Sequence, residues 1–135
     1  MENKKEMFEE MFKNASLKQL EKFLKSHNNR PELYSLFAKR SKEMSQRRDK
    51  YSHWTIMNVI RWHFDFTQEE PEEFKVSNDN IGLYARLFIA LNPEYLNFFT
   101  LKPLKRDVES GDNIARRMEI LALLEKIKWT FTRDG

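Results

Sequence analysis

The chain contains no cysteine. Disulfides and thiolate metal sites are therefore excluded, and the composition fits a reducing compartment. Three glycines and four prolines are too few for an all-β fold strung on tight turns. No apolar run approaches the roughly 20 residues that cross a bilayer. Met1-Glu2-Asn3-Lys4-Lys5-Glu6 is too charged to be a secretory signal. These absences predict a cytoplasmic protein with no membrane partner. No glycine-rich phosphate loop or nucleophile motif is present, and His27, His53 and His63 lack metal-ligand spacing. Asp65, Glu73 and Lys75 echo the Asp…Glu-x-Lys set that holds Mg²⁺ in many nucleases. That fold needs a larger sheet than this chain offers, and Glu-x-Lys arises readily by chance where charge is so dense. The expectation is a non-enzymatic protein with no cofactor and no metal.

What the sequence does hold is apolar and charged surface in balance. Its 135 residues are 40% hydrophobic and 33% charged, the mark of a globular and well-solvated chain. The length suits one domain, residues 1–135, that hides roughly two-thirds of its unfolded surface. Aromatic residues make up 13%, eleven of them phenylalanine, so the core should be built on large flat side chains. Basic residues outnumber acidic ones by 24 to 21, a net charge of +3. So mild an excess permits nucleic-acid binding without demanding it.

Helical periodicity dominates. Met7, Phe8, Met11 and Phe12 share one face of a first helix. Ser16 and Gln19 form a capping-box pattern for a second, carried by Leu17, Leu20, Phe23 and Leu24. His27-Asn28-Asn29-Arg30 reads as a loop, and Pro31 opens a third helix with Leu33, Leu36 and Phe37 on one side. Ser52 caps a fourth, His53 to Phe66, in which apolar residues cover most of the circumference. Such a helix is normally central, which places Trp62 in the core. Phe74-Lys75-Val76 and "FFTLKPLK" (98–105) are strand candidates that can pair as a small sheet. Between them runs the helix Ser77–Leu91, with Ile81, Tyr84, Ala85 and Phe88 on one face. "RDVESGD" is a linker, and Asp112 caps a last helix to about Phe131.

Two features point toward nucleic acid. "KRSKEMSQRRDK" holds six basic residues, Lys39, Arg40, Lys42, Arg47, Arg48 and Lys50, against two acidic ones. With Tyr51 and Trp54 following, it can neutralise phosphates or stack on bases. A solvated helix end, where positive charge complements the helix dipole, is the structural alternative. The helix after Ser77 can present Asn78 and Asn80 outward to base edges, since asparagine suits adenine. Ser, Asn and Asp are equally what any helix N-terminus prefers, and Asp79 would repel phosphate. Arg86, mid-helix among apolar neighbours, can contact phosphate or be tied to a carboxylate such as Asp65.

The segment Pro31 to Lys105 resembles a family of small uncharacterised proteins of phages, prophages and other mobile elements. The resemblance lies in Ile60-Arg61-Trp62, Phe74-Lys75, Asn78, Tyr84-Ala85-Arg86, Asn92-Pro93-Glu94 and Phe98-Phe99. It implies a bacterial host's cytoplasm, where small proteins of this kind bind DNA or block a host factor. It carries no established activity.

The expected fold is thus mainly α. It is a compact multi-helix domain with a minor two-stranded β element, winged-helix-like in outline. Residues 1–30 supply N-terminal helices, 31–105 the core and 112–131 a C-terminal helix. Nucleic acid is the leading partner. A host protein, such as a defence enzyme to be inhibited, is the alternative, met through acidic "QEEPEE" or the terminal helices. The consecutive apolar residues Ile120 to Leu124 allow the last helix either to form a homodimer or to pack on its own chain's N-terminal helices.

Overall fold

The computed structural model describes residues 4–67, 78–104 and 114–127, with the main chain alone at 4–5, 64–67 and 78–79. The described residues form six α-helices: α1 (Lys4–Phe12), α2 (Leu17–Asn29), α3 (Pro31–Ser45), α4 (His53–Thr67), α5 (Asn78–Leu91) and α6 (Ile114–Glu125). A 3₁₀ turn at Pro93–Tyr95 follows α5.

Local chemistry sets the boundaries. Ser16 Oγ accepts from the Gln19 amide at 3.1 Å, and Gln19 Oε1 accepts from the Ser16 amide at 2.9 Å. This capping box starts α2. The loop expected at 27–30 shrinks to Arg30 alone, because α2 runs on to Asn29. Pro31 explains the break: its ring disfavours helical geometry at the residue before it, while its fixed φ suits the first position of α3. Ser52 Oγ accepts from the Thr55 amide at 3.2 Å and caps α4.

Helix α5 occupies the centre. Asn80, Ile81 and every residue from Leu83 to Leu91 are buried, and α1, α2, α3 and α4 all pack against it. Aromatic contacts knit it to its neighbours. The Tyr84 ring lies 4.8 Å from Phe23, edge to face. Phe88 meets Tyr95 at 4.9 Å, Phe99 at 5.9 Å and Phe37 at 6.3 Å. Burial pushes the Tyr84 hydroxyl up to about 12.

Helix α4 is not central, contrary to the expectation from its composition. It buries Ile56, Met57 and Ile60 but exposes Trp54 (39%), Val59 (52%) and Trp62 (65%). Those three lie with Thr55, Asn58 and His63 on the outer face of the helix. Trp62→Ala should therefore change stability by only about 0.5 kcal/mol or less, as exposed substitutions do. A buried aromatic would cost about 3–5 kcal/mol. Urea denaturation of the variant checks this, and a loss in the larger range would return Trp62 to the core.

The expected strand at 98–105 is absent through Leu104: the chain turns at Phe98 and runs on without regular structure. Phe98 and Phe99 are adjacent, yet both are buried, whereas a strand would send consecutive side chains to opposite faces. Its intended partner, 74–76, lies outside the described residues, as do "QEEPEE" and Asp112. No strand occurs among the described residues, so the two-stranded element and the winged-helix outline are not seen there.

Helix α6 packs on α2 and α1, burying Ile120, Leu121 and Leu124. Arg117 donates to the Ala15 carbonyl at 2.6 Å and to the Phe12 carbonyl at 2.9 Å. It thereby adds a second donor to the Phe12 carbonyl, which also accepts from the Ala15 amide at 3.0 Å where α1 ends. Arg116 reaches Glu21 of α2 at 2.9 Å.

Candidate nucleic-acid interface

The basic run divides between the last two turns of α3 and the loop 46–52 that leads into α4. Lys39, Arg40, Arg47, Arg48 and Lys50 are exposed, and Lys42 is half-buried. Arg40 pairs with Glu43 at 3.1 Å, a solvent-exposed contact of the kind that contributes little. Lys39, Arg47, Arg48 and Lys50 make no ion pair among the described residues.

The loop is anchored rather than loose. Arg47 and Arg48 amides donate to the Met44 carbonyl at 2.9 and 3.0 Å, extending the helix end. The Tyr51 amide donates to the Phe98 carbonyl at 3.1 Å, tying the loop to the segment after the 3₁₀ turn. The His53 ring then stands edge-on to Phe99 at 5.7 Å. Burial and, secondarily, the Arg86 cation hold His53 below its ordinary pKa.

Two clefts flank Tyr51. One, of about 530 Å³, includes Arg40, Glu43, Arg47 and Val59 in its walls. The other, of about 620 Å³, is walled by Lys50, His53, Trp54, Arg86 and Lys102 among others. The structure thus sets Arg40 and Arg47 on one side of Tyr51, and Lys50 with the exposed Trp54 on the other.

It does not present Asn80 outward in the expected way. Asn80 is buried on α5 and does not face outward. The side chain of Asn78, where α5 begins, lies outside the described residues. With its body packed in the core, α5 has no free face to lay in a groove, because it is apolar all round and must be covered. The sides of Asp65, Glu73 and Lys75 likewise lie outside the described residues.

Arg86 was the residue whose role sequence could least define. It is buried, and its hydrogen bonds go to two backbone carbonyls: Gly82 at 3.2 Å and Lys102 at 2.5 Å. No carboxylate pairs with it among the described residues. Lys102 belongs to the same cleft and was missed in sequence. For Arg86 itself the available signal was the glycine four residues before it: a glycine costs about 1 kcal/mol within a helix and calls for a reason.

No protein-family model, curated protein or solved structure matches the chain. No helix among the described residues is long and apolar enough to cross a membrane.

Proposed function

We propose that this protein binds nucleic acid, without catalysing a reaction on it, through the surface formed by the end of α3, the 46–52 loop and the start of α4. The reading includes the setting implied by the resemblance: a phage or mobile-element protein acting in a bacterial host's cytoplasm. One observation carries it. Arg47, Arg48 and Lys50 stand exposed on an anchored loop, outside any ion pair among the described residues, and Lys50 shares a cleft with the exposed Trp54. Cations that release counterions from phosphate, next to an aromatic platform for bases, are what single strands and distorted duplexes use.

Replacing Arg47, Arg48 and Lys50 together with Ala should leave the fold intact and weaken binding to short DNA and RNA probes. The slope of log affinity against log salt should flatten by about 2–3, at roughly 0.7–0.9 for each lost phosphate contact. An electrophoretic shift series across salt concentrations measures both. If the native protein shifts no probe at low salt, the reading fails.

A second reading rests on a different face. Val59 and Trp62 on the outside of α4 offer apolar surface of the kind that protein partners cover. A host protein docked there would be held with little dependence on salt, which separates the two readings. A homodimer through α6 is the remaining proposal, supported by Leu123 (40% exposed) and Met118 (38% exposed). It predicts a dimer mass by light scattering that falls to a monomer on Leu123→Glu.

A further inference from the structure

The cleft between the start of α4, α5 and the segment 100–104 has an unusual charge balance. Lys50, Arg86 and Lys102 line it together with the hydroxyl-bearing Ser52 and Thr100, and among the described residues no acidic one does. A solvent-exposed lysine needs no counter-ion, but an arginine only 7% exposed is a different case. Desolvation makes an uncompensated buried charge costly, and burial pulls the Arg86 pKa below its ordinary value. Two carbonyls engage two of its five N–H groups. They fix the plane of the guanidinium without neutralising it.

The fold makes room for this arrangement. A methyl group at Gly82 would come within 3.3 Å of Arg86 Nη1, so the glycine clears the place where the guanidinium lies. The first turn of α4 also opens on the cleft through His53 and Trp54, and its amide dipoles add positive potential there. Ser52 Oγ already accepts from the Thr55 amide, which leaves its own proton to donate.

We propose that this cleft is an anion site that takes a phosphate group, with Arg86 as its fixed donor and Lys50 and Lys102 as the cations at its mouth. A phosphate presents three oxygens to a planar fork and to point charges, the match for which arginine and lysine are suited. The site rests on the cleft's own geometry and not on the nucleic-acid reading. The phosphate can be the end of a nucleic-acid strand or belong to a small phosphomonoester. The cleft's volume of about 620 Å³ lies within the range of small-ligand pockets.

The test uses the whole chain and two probes. Inorganic phosphate, added at constant ionic strength against chloride, should raise the thermal midpoint. It should also raise the His53 pKa seen by NMR, because a bound dianion opposes the field of Arg86. Lys50→Ala with Lys102→Ala, both exposed positions, should keep the fold and weaken phosphate on the order of tenfold. Arg86→Lys, which keeps the charge but loses the fork, should weaken it as well. A 5′-phosphorylated oligonucleotide is then compared with its 5′-hydroxyl twin. A preference for the phosphorylated strand that the Lys50/Lys102 pair abolishes assigns the site to strand ends. Equal binding of the two strands, with phosphate still bound, assigns it to a small phosphomonoester. No response of midpoint or His53 to phosphate, in a protein whose strand binding still depends on Arg47 and Arg48, would overturn the site and leave the nucleic-acid reading standing. Loss of strand binding with the phosphate response intact would do the reverse.

Discussion

Phe88→Ala is expected to destabilise the protein by about 3–5 kcal/mol, the range for truncating a fully buried aromatic. Phe88 is fully buried and touches rings from three parts of the chain: Phe37 on α3, Tyr95 in the 3₁₀ turn and Phe99 beyond it. Its removal opens a cavity where these segments meet, and none of them can collapse inward without dragging its own helix or turn. The loss is a large share of a typical total stability of about 5–15 kcal/mol, so a marked fall in the urea midpoint by circular dichroism should follow. A loss under about 1 kcal/mol, the ordinary effect of an arbitrary substitution, would mean that α5 is not the centre of the core. The same experiment on Val59→Ala, at 52% exposure on α4, should show almost nothing.

The contrast between those two positions shows where the sequence was legible and where it was not. Helices were readable wherever apolar residues recur on one side and a cap or proline marks an end, as at Ser16, Pro31 and Ser52. Their order of burial was harder. The rule that a helix apolar all round is buried holds here, but for α5 rather than α4. Trp54, Val59 and Trp62 add to the apolar count of α4, yet they share a face with Thr55, Asn58 and His63. In α5, Leu83, Leu87 and Ile89 lie off the Tyr84–Phe88 face and are buried as well, leaving Arg86 as the only charge from Asn80 to Leu91. The pair Phe98-Phe99 looked like part of a strand because phenylalanine favours strands, but two adjacent buried rings instead suit a turn pressed into the core.

The candidate site was legible in part for a related reason. A run such as Arg47-Arg48-Asp49-Lys50 declares itself in sequence, since charge at that density belongs in solvent. A cleft does not. Lys50, Arg86 and Lys102 come from three separate segments, and only packing sets them around one space. Arg86 could be read as paired to a carboxylate because buried charges usually are. The carbonyls of Gly82 and Lys102 that engage it are backbone groups, which no side-chain pattern can reveal.

Leu124→Glu should be the second most damaging change, and Leu123→Glu its near-silent neighbour. Leu124 is 0% exposed, on the face that α6 turns to α1 and α2, whereas Leu123 is 40% exposed. A carboxylate at 124 must be buried without a partner, protonate or pull α6 away. Each route costs on the order of 3–5 kcal/mol for an uncompensated charge. Lifting α6 would also withdraw Arg117 from the Phe12 and Ala15 carbonyls and Arg116 from Glu21, so α1 should fray with it. At 123 the same carboxylate stays in water, and in an isolated chain it should change stability by about 0.5 kcal/mol or less. Urea denaturation and helix content by circular dichroism, measured on both variants, distinguish the two positions. Equal losses at 123 and 124 would show that both faces of α6 are covered, as in the homodimer. A loss confined to 124, with the same mass by light scattering for Leu123→Glu and the native chain, would confine the helix to its own α1 and α2.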